Sequence, residues 1–264
     1  MLLHLIADFG AGDLAFAEVT QRLQVHVSDA QIVRTTVPPF ATLAAGFCVA
    51  QLAMAPAPGG TVVFHNVAPR RDDRNARRDQ AGEALACATT PTGVTVVGVN
   101  AGHAFSFLRD AGIEVRAVVA AAAGSQFRSR DLFPEAVARV LAGEEGAVGA
   151  VLGPDAIPAV PRQRIAYVDG FGNLKTTVRA GGLEPGSRVR ITIAGVTREA
   201  VVAGGGFGVP EGELAFAAGS SGWSVAAGRV RWTEVFLRGG SAWEAFQRPP
   251  SGAELSVEEM PPNS

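Results

Sequence analysis

The feature that most constrains this fold is a change of pattern near residue 153. Before it, short apolar runs alternate with stretches of helical spacing. Leu2 to Ala7, Gln31 to Val37, Thr61 to Val67, Val94 to Val99 and Val115 to Val119 read as strands. Leu14 to Leu23, Phe40 to Met54, Gly82 to Ala88 and Ser129 to Leu141 read as helices. That alternation predicts an α/β layer with a mostly parallel central sheet. Gly153-Pro154, Pro158 and Pro161 then punctuate a linker. Beyond it, Arg164 to Val168, Leu174 to Val178, Arg188 to Ile193, Arg198 to Val202, Leu214 to Ala217 and Val230 to Leu237 are β-type runs separated by Gly-rich turns. Strands so closely spaced predict a smaller all-β, barrel-like domain. The expected division is residues 1–157, 158–248 and a flexible tail over 249–264, where Pro249-Pro250 and Pro261-Pro262 stand.

Composition narrows the function classes. The 264 residues carry 23 basic and 25 acidic side chains, for a net charge of −2. A nucleic-acid binder relying on a strong basic excess is not expected. With 47% hydrophobic residues the chain is not of the disordered type. No apolar run reaches the roughly 20 residues of a membrane-spanning helix, so no membrane partner is expected. Cys48 and Cys87 are too few for a disulfide framework or a zinc site, and the four histidines have no metal-ligand spacing. The opening MLLHLIADFG lacks the basic region and long apolar core of a signal peptide, so a cytoplasmic location is expected. Lys175 is the only lysine, so Schiff-base chemistry would fall to it alone.

Several turns carry candidate chemistry. ADFGAGD (Ala7 to Asp13) closes the first strand, at the sheet edge where α/β proteins bind ligands. Asp8 suits paired ribose hydroxyls and Asp13 suits an amine, although Asp13 is equally an N-cap. The run HNVAPRRDDRNARRD (His65 to Asp79) has Arg70 and Arg71 near a strand end, able to hold an anion or simply to face water. His65 lies near that strand end and is a candidate base. In FRSRD (Phe127 to Asp131), Ser129 offers a hydroxyl before a helix, or else caps it. DGFGN (Asp169 to Asn173) offers Phe171 to stack on a base and Asn173 to read a purine edge. SSG (Ser220 to Gly222) and LRGGSA (Leu237 to Ala242) read as turns.

The order and spacing of these strings resemble the S-adenosylmethionine (SAM)-cleaving family that contains the SAM hydroxide adenosyltransferases and the SAM-dependent fluorinase and chlorinase. ADFGAGD, VPPFATLAAGFCVAQL with GGTVV, VGVNAGHAFSF, FRSRD, IAYVDGFGNLKTT, SSG and RGGSA carry the likeness, from about Leu2 to Phe246. The resemblance implies an α/β domain joined to a β-barrel domain. It implies a homotrimer whose active sites lie between one subunit's N-terminal domain and its neighbour's C-terminal domain. By position, Asp8 would bind the ribose hydroxyls and Phe40 would line the pocket, with Asn100 and Phe127 also at the ligand. Asp13, Asp169, Ser220 and Ser221 would hold the methionine end. Phe171, Asn173 and the backbone near Gly240 would hold the adenine.

The likeness has gaps. The hydrolase branch's Asp falls at Ala68, its His at Arg128, and its Arg near Asn75, with Arg74 and Arg77 close by. Ser129 and Phe127 match the halogenase branch, but that branch's tyrosine and threonine fall at Ala68 and Arg71. Displacement at the 5′ carbon of SAM expels a neutral thioether, so no acid is needed. What it needs is an aligned nucleophile stripped of water. Arg70, Arg71, Arg128, Ser129 and His65 are the candidates to steady or deprotonate it. The expected activity is SAM hydrolysis to adenosine and methionine, with no cofactor beyond SAM as substrate. A halide-using enzyme and a non-catalytic adenosine or SAM binder of the same fold are the alternatives.

Overall fold

A computed structural model describes residues 1–69, 82–120, 124–226 and 228–261. The chain divides into two compact units, Met1–Ala159 and Val160–Ser264.

In the first unit, β1 (Leu2–Ala7), α1 (Leu14–His26), β2 (Gln31–Thr36), α2 (Thr42–Ala53) and β3 (Val62–Asn66) follow one another as the sequence predicts. Then come β4 (Leu85–Thr89), β5 (Thr95–Val99), α3 (Ser106–Asp110), β6 (Val115–Val118), α4 (Arg128–Asp131), α5 (Phe133–Leu141) and β7 (Val148–Val151). The sheet order is β2-β1-β3-β5-β4-β6-β7. Strands β2, β1, β3 and β5 run parallel, whereas β4, β6 and β7 join by antiparallel pairings. The sheet is therefore mixed, not mostly parallel. The cause is local: the segment expected as a helix over Gly82 to Ala88 overlaps β4, inserted between β5 and β6. Helices are few, and among the described residues only α1 and α2, with 13 and 12 residues, exceed three turns.

Alternation along the strands sorts the core. Leu3, Leu5, Ala7, Val62 and Phe64 share a cluster with Phe16, Val19 and Leu23 of α1 and Phe133 and Val137 of α5. The intervening residues, Ile6, Val63 and His65 among them, take the other face, which α2 covers. Helix α2 is apolar nearly all round and buried to match. Its Gly46 is required by a close approach, since a Cβ there would collide with the His103 carbonyl oxygen.

The second unit is one curled half-barrel sheet, ordered β14-β10-β11-β12-β13-β9-β8. Its strands are β8 (Ile165–Val168), β9 (Leu174–Arg179), β10 (Arg188–Ile193), β11 (Val196–Ala203), β12 (Leu214–Val225), β13 (Gly228–Leu237) and β14 (Leu255–Glu259), with α6 at Ala242–Ala245. Backbone bonds from Ile165 N to Ala253 O (3.0 Å) and from Leu255 N to Gln163 O (2.9 Å) join the two ends of the strand order. The segment expected as a flexible tail thus supplies β14, which pairs with β10 and buries Leu255. SSG is likewise not a turn. It lies inside β12, at a register shift between Ala218 and Gly222.

No helix among the described residues is long and apolar enough to cross a membrane.

Candidate functional site

Parallel pairing brings the carboxyl ends of β1, β2, β3 and β5 to one edge, so Asp8, Val37, Val67 and Asn100 follow their strands there. The Phe40 amide donates to Asp8 Oδ2 at 2.9 Å. That bond holds Phe40 at φ +63°, in the left-handed region, with its ring half exposed. Asp8 and Phe40, expected at the ribose and the pocket wall, are therefore neighbours. Asp13 caps α1, accepting from the Ala15 amide at 2.8 Å. Asn100 Nδ2 donates to the Ala156 carbonyl at 3.1 Å, which ties the loop after β5 to a later segment.

FRSRD is built rigidly. Phe9 stands edge-on to both Phe16 (5.2 Å) and Phe127 (6.0 Å). Arg130 pairs with Glu18 at 2.9 Å and Asp131 at 2.7 Å, and lies 5.1 Å from the Phe127 ring centroid. Asp131 also accepts from Ser125 at 2.5 Å. The Arg130 guanidinium and then this hydroxyl hold the Asp131 carboxyl down at about 2. The Phe127 amide donates to the same Ser125 oxygen at 3.0 Å. Arg128 donates to the Glu83 carbonyl at 3.0 Å and lies 4.8 Å from the Phe133 ring centroid. A side chain at Gly82 would collide with its guanidinium. Ser129 is buried in α4. Arg70 and Arg71, like Arg74, Asn75 and Arg77, lie outside the described residues.

His65 sits at the end of β3 but points into the core. It is 0% exposed, 5.0 Å from the Phe105 ring, and its ring fills the space a Cβ on Gly98 would need. Neither ring nitrogen has a hydrogen-bond partner. Burial pushes its pKa down to about 3. A base must reach the proton that it takes, and in this structure the ring reaches no surface.

In the second unit, DGFGN forms the tight turn between β8 and β9. Asp169 Oδ1 accepts from the amides of Phe171 and Asn173, both at 3.0 Å, and Oδ2 accepts from Asn173 Nδ2 at 3.0 Å. Asn173 is thereby buried with its carboxamide oriented, while Phe171 stands 80% exposed at the tip. Gly172 is at φ +81°, and a Cβ there would collide with Ser241. The Trp243 amide donates to the Gly172 carbonyl at 2.8 Å. The fold therefore seats DGFGN directly against the turn that runs from Gly240 into α6. Ser220 is exposed and Ser221 buried, both at the irregular part of β12.

Two residues here were not among the expected site residues. Lys175 Nζ lies 2.9 Å from Glu234 Oε2 and 3.5 Å from Asp169 Oδ2. The signal available was a lone lysine two places after Asn173, the spacing of one strand face. Nothing in the sequence singles out Glu234, which the β9–β13 register sets opposite Lys175. Among the described residues no group of three or more His, Cys, Asp or Glu is placed to hold a metal ion.

These observations define a two-unit protein, an α/β layer with an acidic carboxyl-edge turn and a half-barrel with a braced Asp-Gly-Phe-Gly-Asn loop. The family model of the SAM hydroxide adenosyltransferase N-terminal domain matches residues 3–148. The chain belongs to that family, a family of SAM-processing enzymes. No curated protein matches it. Among solved structures, an uncharacterized conserved protein from Thermotoga maritima aligns with a TM-score of 0.72 at 18% identity, over 97% of this chain and 99% of that one. A conserved hypothetical protein from Thermus thermophilus aligns with a TM-score of 0.65 at 24% identity, over 97% of this chain and 98% of that one. At these identities the likeness speaks to the fold.

Proposed function

We infer that this protein cleaves SAM, with water attacking the 5′ carbon to give adenosine and L-methionine. The new bond is C5′–O. The C5′–S bond breaks, its electron pair stays on sulfur as a neutral thioether, and the attacking water loses a proton to solvent. The observation that carries the reading is the braced loop: Asp169 fixes the Asn173 carboxamide with its NH₂ turned inward, leaving Oδ1 to accept from a ligand. An acceptor left in this way suits the exocyclic amine of adenine. Phe171 offers an exposed ring face for stacking. Asp8, held by Phe40, suits the ribose diol. Arg128 and Ser129, in the rigid FRSRD segment, together with Arg70 and Arg71, are the groups proposed to steady a developing hydroxide. His65 is given no proton-transfer role. We place the complete site between neighbouring copies in a homotrimer, with Asp8 and Asp13 from one copy and Asp169, Ser220 and Ser221 from the next.

The test is chromatography of the protein incubated with SAM, with and without added chloride, beside calorimetry with adenosine. Equal amounts of adenosine and methionine, independent of chloride, are expected. A 5′-chloro-5′-deoxyadenosine product seen only with chloride would assign a halide-using enzyme instead. Binding without turnover would make the protein a nucleoside binder. The absence of both binding and turnover would sink the reading. Asp169→Ala should weaken SAM binding, and unchanged affinity would remove this loop from the site.

A further inference from the structure

We propose that Lys175, braced by Glu234, is a positioning residue that makes the DGFGN loop selective for adenine. The proposal rests on the reading of that loop as the adenine site. Lys175 leaves β9 and Glu234 leaves β13 at facing positions of an antiparallel pair. Their side chains are only 12% and 13% exposed, and that of Asp169 is 20% exposed. An ion pair so shielded is screened less by water than a surface one, and it holds its geometry more firmly. Glu234, at 2.9 Å, fixes the ammonium, which then stands 3.5 Å from Asp169 Oδ2. That oxygen is the one that accepts from Asn173 Nδ2.

The chain of contacts therefore runs from Glu234 to Lys175 to Asp169 to the Asn173 amide. Its consequence is a fixed amide orientation. Adenine offers an NH₂ donor where hypoxanthine offers a carbonyl. An Asn173 held with its own NH₂ on Asp169 accepts from the first and has nothing to donate to the second. Without the ammonium, Asp169 and Glu234 face each other as uncompensated carboxylates. Repulsion from Glu234 then displaces Asp169 Oδ2 from the Asn173 NH₂, and the amide loses the partner that sets its orientation. Lys175 touches no ligand in this scheme.

The experiment compares adenosine and inosine binding by calorimetry in the wild-type protein, Lys175→Met and Lys175→Arg, with thermal melting as the check on folding. Wild type should prefer adenosine. Lys175→Met should lose about tenfold in adenosine affinity, the scale of a charged hydrogen bond, and lose its preference over inosine. Lys175→Arg should keep the preference. If Lys175→Met does not fold, Lys175→Gln carries the same expectation. Wild type that binds adenosine, beside a folded Lys175→Met or Lys175→Gln with the wild-type preference, overturns the positioning role alone. Loss of preference in Lys175→Arg as well overturns the charge argument. Wild type that binds neither nucleoside overturns the adenine-site reading and this proposal with it.

Discussion

A buried imidazole with two unpartnered nitrogens is a stability problem before it is a catalytic one. Burial holds the His65 pKa at about 3 in the folded chain, against 6.5 when exposed. Between those values the unfolded chain takes up a proton that the folded chain refuses. Stability therefore falls as pH drops below about 6.5, by up to about 1.4 kcal/mol per unit. His4 and His103 shift in the same direction, so the comparison has to be made against a variant. His65→Leu should be as stable as wild type or more so at pH 7, because it removes polar atoms that have no partner. It should also lose less stability on going to pH 5. Urea midpoints of both proteins at the two pH values check this, and equal losses would refute it. Working above pH 4.5 keeps Asp131, which titrates near 2 in the folded chain, out of the comparison. Residue types alone left such roles open. Asp13 was readable as either ligand or cap, and the cap is seen. His65 looked well placed because it ends a strand, but strand position does not say which face a side chain takes once both faces are covered.

Elements were legible where their pattern is long and local. β1, α1, β2, α2 and β3 all follow from apolar spacing and turn residues. β4 was not, because Leu85 to Thr89 is short and carries two alanines, so its period cannot tell strand from helix. β14 was hidden by the prolines around it, although Leu255, Val257 and Glu259 share one face of an alternating run. If β14 is integral to the half-barrel, Leu255→Ala should cost about 3 kcal/mol, as for other buried leucines. Denaturant unfolding measures this. A loss under about 1 kcal/mol would return residues 249–264 to the status of a tail. The SSG segment failed for a related reason: Gly and Ser signal turns, yet a strand at a bulge accepts them because one residue there has no partner to satisfy.

At the scale of the molecule, each unit gathers its own share of the expected site, Asp8, Phe40 and FRSRD in one and DGFGN with the Gly240 turn in the other. If sites are completed by neighbouring copies, light scattering should give about three times the 27.2 kDa chain mass. Asp8→Asn and Asp169→Asn chains, each inactive alone, should then regain activity when mixed and reassembled. A monomer, or a mixture with no activity, would rule out shared sites. The sequence by itself determined the division into an α/β part and a β part, the order of most strands, and the turns that carry Asp8 and Asp169. These depend on periodicity and turn chemistry, which neighbours along the chain set. Only the tertiary structure decided that the first sheet is mixed, that His65 is sealed in the core, and that Lys175 meets Glu234 and Asp169. Those facts depend on which strands pair, in what direction and register. Pairing is settled by the free energy of the whole fold, between residues distant in sequence.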